Sequence, residues 1–325
     1  MMDIAVIGLG NIANRHRSNL KKLFPECKVW AMSASGRKPT SPISDCDVVA
    51  NDIQTLIDAN IYFAIVASPA TFHAQHAIEL IQAGIPILIE KPIAANIHDA
   101  NRIREAAIRW KTPVAVGYCL RYLPSAHRTK EIIQSGVLGA LYNFNAEIGQ
   151  YLPNWRPTKD YRECVSANAE LGGGALLELS HELDYTQWML GTLDLQFAHL
   201  RATEELNLDV EELADVVALN PQGVLINIHL DFLQKKAFRK CSLIGMNGRL
   251  DWDLIENRVE LQMATKDEIV YHDSDWDKNQ IYLKMLDDFV ELIEGRSNEC
   301  VSIDEAIKTV SLIEDIKSST PITRN

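Results

Sequence analysis

The chain opens on a short apolar run, Ile4–Ile7, that passes directly into Gly8-Leu9-Gly10-Asn11-Ile12-Ala13 and on into a segment with helical spacing, Asn11–Phe24. In G-x-G-x-x-A the first glycine permits a tight strand-to-helix turn. The second lets the backbone come close to a pyrophosphate, and the small third residue lets helix pack on strand. The helix N-terminus then offers free N–H groups and the positive end of its dipole to phosphates. The motif is short; a strand before it and a helix after it give it weight. Gly8, Gly10, Asn11, Ile12 and Ala13 are therefore candidate dinucleotide contacts.

The stretch that follows repeats the strand–helix alternation. Apolar runs at Val29–Met32, Val48–Ala50, Tyr62–Ala67, Pro86–Ile89 and Val114–Gly117 are separated by helical stretches around Phe72–Ala83 and Ile97–Trp110. Continuous apolar strands joined through helices mean a parallel sheet buried on both faces, with right-handed crossovers. In such a sheet ligands bind beyond the carboxyl ends of the strands. An acidic residue ending the second strand would hold the ribose 2′-hydroxyl of NAD. Here the chain reads Ala31-Met-Ser33-Ala-Ser35-Gly-Arg37-Lys38, with no acid before Asp45. Ser33, Arg37 and Lys38 suit a 2′-phosphate, so NADP is favoured over NAD. The same two cations serve equally as a solvated loop.

Residues 1–120 carry 12 Lys+Arg against 10 Asp+Glu, whereas the remainder carries 20 against 34. Two differently built domains, 1–120 and 121–325, are expected, with the last helix free to pack back on the first. The overall charge of −12 argues against nucleic-acid binding. No apolar run reaches the length of a membrane span. The start has no basic n-region and no long apolar run, so no secretory leader is expected, and the six widely spaced cysteines form neither a zinc pattern nor a disulfide framework. A cytoplasmic protein is expected, and no metal site: His73 and His76 are the strongest histidine pair and share only a helix edge.

Beyond Tyr122 the pattern changes. A helix is expected at Ala126–Gln134. Alternating segments follow at Tyr142–Ile148, Ala214–Leu219, Leu225–Phe232 and Val259–Met263, with turn chemistry at 220–223 and 245–248. They predict an antiparallel sheet with one face free. Helices at Gln280–Glu294 and Asp304–Lys317 close the chain, the second with a Ser302/Glu305 capping box.

Four segments carry candidate chemistry. Ser68-Pro69-Ala-Thr-Phe-His73 follows the fourth strand and faces the cofactor. Glu90-Lys91-Pro92 follows the fifth, and a lysine there can donate to a carbonyl being reduced; it can also be an ordinary lysine beside a turn. Gly172-Gly-Gly174 opens a predicted helix through Trp188, on which spacings of three bring Glu178, His181 and Asp184 near one face. Flanking carboxylates can orient a histidine for proton transfer; a solvated polar face would look the same. Finally Tyr151, Trp155, Arg156 and Arg162 lie in one loop. They suit a sugar ring bearing an anionic group, or a loop that packs its aromatics on the sheet.

Taken in order, these motifs resemble the Gfo/Idh/MocA family, the glucose–fructose oxidoreductase-like dehydrogenases, over nearly the whole chain. The resemblance rests on Gly8-x-Gly10-x-x-Ala13 with His16, Ser68-Pro-x-x-x-His73, Glu90-Lys91-Pro92 and the triple-glycine helix with His181 and Asp184. It implies an α/β protein: an N-terminal Rossmann doubly wound parallel sheet and a C-terminal α/β domain on a large open antiparallel sheet. It also implies NAD(P)-linked chemistry on a sugar, polyol or sugar derivative. Lys91 takes the family's catalytic lysine position and His181 its proton-transferring histidine. Arg121-Tyr122 matches the segment entering the second domain, with Arg121 a substrate contact. The family's aspartate four residues before the histidine is replaced here by Leu177, and Glu178 is the nearest acid. The form of the helix around His181 resembles members tied to bacterial surface polysaccharides and nonulosonates. The free sheet face implies a homo-oligomer, dimer or tetramer.

The expected reaction is hydride transfer to or from a carbinol carbon of a sugar-like substrate, with an anionic substituent allowed for by Arg156 and Arg162. Two alternatives stand beside it. One is a redox-assisted glycoside elimination or hydrolysis on a tightly held nicotinamide. The other is a non-catalytic NAD(P)-binding regulatory protein.

Overall fold

The structure, a computed structural model, describes residues 2–324. The chain forms two compact units: residues up to Cys119 together with Asn279–Val310, and Leu120–Lys278 together with the residues from Ser311 onward.

In the first unit six parallel strands stand in the order β3-β2-β1-β4-β5-β6, with β1 at Asp3–Ile7, β2 at Lys28–Met32, β3 at Val48–Ala50, β4 at Phe63–Val66, β5 at Ile87–Ile89 and β6 at Val114–Val116. The crossovers carry helices α1 (Asn11–Leu23), α2 (Ile53–Asp58), α3 (His73–Gln82) and α4 (Ile97–Trp110). Ile4, Ala5, Val6 and Ile7 are wholly buried, as are Phe63, Ala64, Ile65 and Val66, so both faces of the central strands are covered. Each of the buried Val, Ile and Phe side chains contributes about 1.5–3 kcal/mol of transfer free energy. Strand order reverses between β1 and β4, which places a crevice beyond their carboxyl ends. The unit also holds α8 (Gln280–Ile293), whose Phe289 meets Phe63 edge to face at 5.5 Å.

The second unit begins with α5 (Pro124–Gln134) and β7 (Leu141–Gly149), then runs through short turns to α6 (Ala175–Glu178) and α7 (His181–Leu190). Strands β8 (Asp194–Ala202), β9 (Leu213–Leu219), β10 (Leu225–Asp231), β11 (Phe238–Gly245), β12 (Gly248–Asp253), β13 (Arg258–Met263) and β14 (Lys266–His272) follow. After α9 (Ile303–Ser319), β15 (Ile322–Arg324) completes a nine-stranded sheet. The expected purely antiparallel sheet is corrected here: β10 pairs parallel to β7, and β15 parallel to β8. The cause is the long excursion between β7 and β8, after which β10 enters beside β7 running the same way. The Ser302/Glu305 capping box forms as expected.

One face of this sheet packs its apolar side chains, among them Phe144, Ala146, Leu250 and Trp252. On the other, direct register neighbours form the row Arg258–Asp253–Lys240–Glu147–His229–Asp215–His199. Basic and acidic groups alternate along it. No helix of the described residues is long and apolar enough to cross a membrane.

Candidate active site

At the end of β1 the glycine turn is built as its spacing requires. Gly8 has φ +122° and donates its N–H to Met32 O. A Cβ at Gly8 would lie 2.3 Å from Ala67 O, so only glycine fits between the ends of β2 and β4. Gly10, the N-cap of α1, is different: a Cβ there would meet nothing within 4 Å. The α1 N-terminus has no side-chain cap and no acidic residue in its first turn. Leu9, Gly10 and Asn11 are exposed, while Ala13 is fully buried against the sheet. Free N–H groups behind open space, at the switch point of the sheet, fit a dinucleotide pyrophosphate.

Beyond β2, the Ser33 and Ser35 hydroxyls lie 3.3 Å apart, and Gly36 closes a turn by donating to Ser33 O. Arg37 and Lys38 are exposed on that loop. Beyond β4, Ser68 and His76 Nδ1 share a hydrogen bond of 3.0 Å; burial, aided by neighbouring His73, pushes His76 down to about 4 and keeps it neutral.

His73 and Glu90, expected at the cofactor, are engaged by protein atoms. His73 is 1% exposed. Its Nε2 lies 2.7 Å from Ser68 O and its Nδ1 3.0 Å from Pro92 O, so it ties the loop after β4 to the loop after β5. Burial pushes its pKa down. Glu90 Oε1 lies 2.6 Å from Nε2 of the fully buried His16, and Glu90 Oε2 accepts the Lys91 N–H at 3.2 Å. The Lys91–Pro92 peptide is cis. The Lys91 backbone is thus held through Glu90 from α1 and through Pro92 from α3, with the half-buried side chain at the strand end. Behind His16, Tyr282 of α8 presents its ring edge, and Arg15 lies 4.7 Å over the same ring.

The second unit places His181 at the first position of α7. Two of the three glycines have no spare room. A Cβ at Gly173 would lie 2.4 Å from Val165 O, and one at Gly174 2.4 Å from the Glu211 carboxylate, which accepts the Leu176 N–H. The predicted continuous helix is corrected: Leu179 turns to φ −100°, ψ 24°, and the chain restarts at His181 as a second helix. Glu178 and His181 therefore belong to different helices, and Glu178 accepts from Ser166 Oγ at 3.0 Å. His181 and Asp184 do remain three apart on α7.

Asp184 and Arg121, expected respectively as a catalytic group and a substrate contact, meet each other. Arg121 Nη2 lies 2.7 Å from Asp184 Oδ1, with the two side chains 7% and 2% exposed. The adjacent Glu182 takes a similar fork from Arg239, at 2.6 and 2.9 Å. Two buried carboxylates thus fasten the first turn of α7, just after His181. Trp155 packs edge-on against Phe232 and donates to Gln150 O; Arg156 is half-buried. Tyr151 lies under the Lys235 ammonium at 3.4 Å, and the exposed Arg162 pairs with Asp160. His16 entered the sequence reading only through the resemblance, while Arg17, Glu182, Glu211 and Arg239 were missed. Glu182, Glu211 and Arg239 meet partners far along the chain, and Arg17 reads as one more cation on an amphipathic helix.

Comparison with known proteins agrees with this fold. The family model described as "Oxidoreductase family, NAD-binding Rossmann fold" matches residues 2–118, and the "GFO/IDH/MocA C-terminal domain" matches residues 126–251. The chain belongs to the Gfo/Idh/MocA family. It is 28% identical over 128 residues to the rhizopine catabolism protein MocA of Rhizobium meliloti, covering 39% of this chain and 37% of that protein. It is 25% identical over 239 residues to inositol 2-dehydrogenase 2 of Saccharopolyspora erythraea, covering 70% and 66%. The chain thus spans 37% and 66% of the length of these two relatives. Among solved structures, a levoglucosan dehydrogenase in complex with NADH and L-sorbose superposes with TM-score 0.84 at 16% identity, over 98% of this chain and 96% of that one. The WlbA dehydrogenase from Bordetella pertussis in complex with NADH and UDP-GlcNAcA gives 0.82 at 17%, over 98% and 96%. At those identities the likeness establishes the fold.

Proposed function

We propose that the chain is an NAD(P)-dependent oxidoreductase that moves a hydride to or from a secondary-alcohol carbon of a sugar or sugar derivative. The observation that carries this is the uncapped α1 N-terminus behind the open approach at Gly10, with Lys91 held at the end of β5. The names of relatives supply the substrate class: inositol, levoglucosan and UDP-GlcNAcA are all hydroxylated rings. When bound, the nicotinamide supplies the hydride acceptor or donor. Lys91 hydrogen-bonds the reacting oxygen and stabilises negative charge on it. His181 takes its proton in oxidation and returns one in reduction. Asp184 acts as a positioning residue, holding α7 through Arg121. Trp155 and Arg156 are the proposed ring and anion contacts, and Arg156 suits the acidic part of a nucleotide sugar or uronate. Ser33, Arg37 and Lys38 favour a 2′-phosphate, hence NADP. The open sheet face, with Phe197, Leu225 and Ile244 exposed, suits self-association.

The test is substrate-dependent change at the nicotinamide absorbance band over a panel of polyols, aldoses, uronates and nucleotide sugars. Lys91→Ala and His181→Ala are each expected to lower turnover by about 10²–10⁴ while nucleotide binding survives. Near-wild-type turnover in both variants rejects the assignment. Substrate consumed with no net nicotinamide change would replace it with a redox-neutral elimination or hydrolysis.

A further inference from the structure

Arg17, on the second turn of α1, is 3% exposed. Its guanidinium donates from Nε to Ser44 O at 2.9 Å, from Nη1 to Gly8 O at 3.4 Å and from Nη2 to Asn14 Oδ1 at 3.2 Å. All three acceptors are neutral, and among the described residues no carboxylate pairs with it. The nearest acidic influences are Cys46 and the exposed Asp45. Burying a unit charge without a counter-ion is costly, and proteins ordinarily pair such a group. Burial indeed pushes the Arg17 pKa below the ordinary arginine value.

The location gives the charge a use. It grips the carbonyl of the first glycine of the turn, on the helix whose N-terminus is uncapped and free of acids. A buried charge is poorly screened by salt and projects its field further than an exposed one. Through Ser44 it also anchors the loop that runs back from Arg37 and Lys38. We propose that Arg17 is a fixed counter-charge for the phosphates of the bound dinucleotide, setting cofactor affinity through charge held beneath the glycine turn. The inference rests on the nicotinamide-cofactor reading given above. The shared chemistry is phosphate: the pyrophosphate of either cofactor, or the 2′-phosphate of NADP.

The experiment measures binding of NADH, NADPH, ADP-ribose and adenosine to the full chain and to R17K and R17Q, by titration calorimetry or ligand NMR across a salt series. Thermal unfolding checks each variant. R17Q is expected to bind the phosphate-bearing ligands about tenfold more weakly, the scale of one charge acting across roughly 12 Å at an effective dielectric near 20. It should also show a shallower salt dependence, with adenosine binding unchanged. R17K, which keeps the charge but not the fork, should retain most of the affinity. Equal loss for NADH and NADPH assigns the effect to the pyrophosphate, and larger loss for NADPH to the 2′-phosphate; both support the proposal. Equal weakening by R17K and R17Q with adenosine equally affected, or wild-type affinity in R17Q, overturns it. If the unaltered chain binds neither nucleotide, the cofactor reading itself fails, and that outcome is separable because it does not involve the variants.

Discussion

Arg121 lays its guanidinium along the Asp184 carboxylate, Nε 3.0 Å from Oδ2 and Nη2 2.7 Å from Oδ1. Both of the carboxylate's oxygens are thereby occupied in a buried site. Asp184 is placed to hold the helix that begins at His181, and the aligned fork gives that hold a direction as well as a strength.

Breaking this pair should be expensive. Asp184→Leu or Arg121→Met leaves one buried group without its partner, a loss of about 3–5 kcal/mol. The double variant R121M/D184L should recover a large part of it, since an apolar pair carries no stranded charge. Urea unfolding of the four proteins checks this, and additive losses in the double variant would contradict it.

The two glycines of the turn should separate folding from binding. Gly8→Ala drives a methyl into Ala67 O at a φ that disfavours it, so a stability loss of about 2–3 kcal/mol or more is expected. Gly10→Ala enters open space at φ −74° and should leave stability within about 0.5 kcal/mol. Nucleotide affinity should nonetheless fall at least about tenfold, because the methyl fills the approach of a pyrophosphate. A Gly10→Ala protein that binds normally would place the phosphates elsewhere.

Preference for the phosphorylated cofactor should depend on Arg37. Arg37→Ala is expected to weaken NADPH by about tenfold or more and NADH little, on the scale of a charge-assisted phosphate contact. Parallel titrations of the two nucleotides decide it, and equal losses would remove Arg37 from that role.

A pH dependence follows from His229. Hydrogen bonds with Asp215 and Asp231, outweighing burial, raise its pKa from 6.5 to about 10. The folded value lies above the unfolded one, so its contribution is complete below pH 6.5 and is lost as pH rises towards 10. The stability gap between the wild type and His229→Gln should therefore shrink steadily over that window in urea titrations. A gap that stays constant would show that the imidazole is not held charged.

Much of the first unit was legible because its strands are apolar on both faces and its turn needs glycine at Gly8. The fragment Ile53–Asp58 escaped because two turns of helix carry little periodic signal. In the second unit, Leu179 interrupts a helix without interrupting its spacing of buried leucines, so Ala175–Trp188 read as continuous. The strand Lys266–His272 escaped because its edge position leaves most of its side chains in water. Lys91 and His181 were singled out by their neighbours in sequence. Their supports were not, because Glu90 meets His16 across 74 positions and Arg121 meets Asp184 across 63. Pairings of that kind belong to the tertiary fold.

The row of alternating charge that crosses the second-unit sheet bears on how that sheet assembles. A strand that slips by two residues keeps its greasy side inward, so oil and water alone cannot reject the error. Sliding β11 along β7 by that amount would set Lys240 against Asn145 or Gly149 in place of Glu147. Each mispaired rung forfeits an attraction, and the ladder proofreads its own alignment by electrostatics where hydrophobicity is blind.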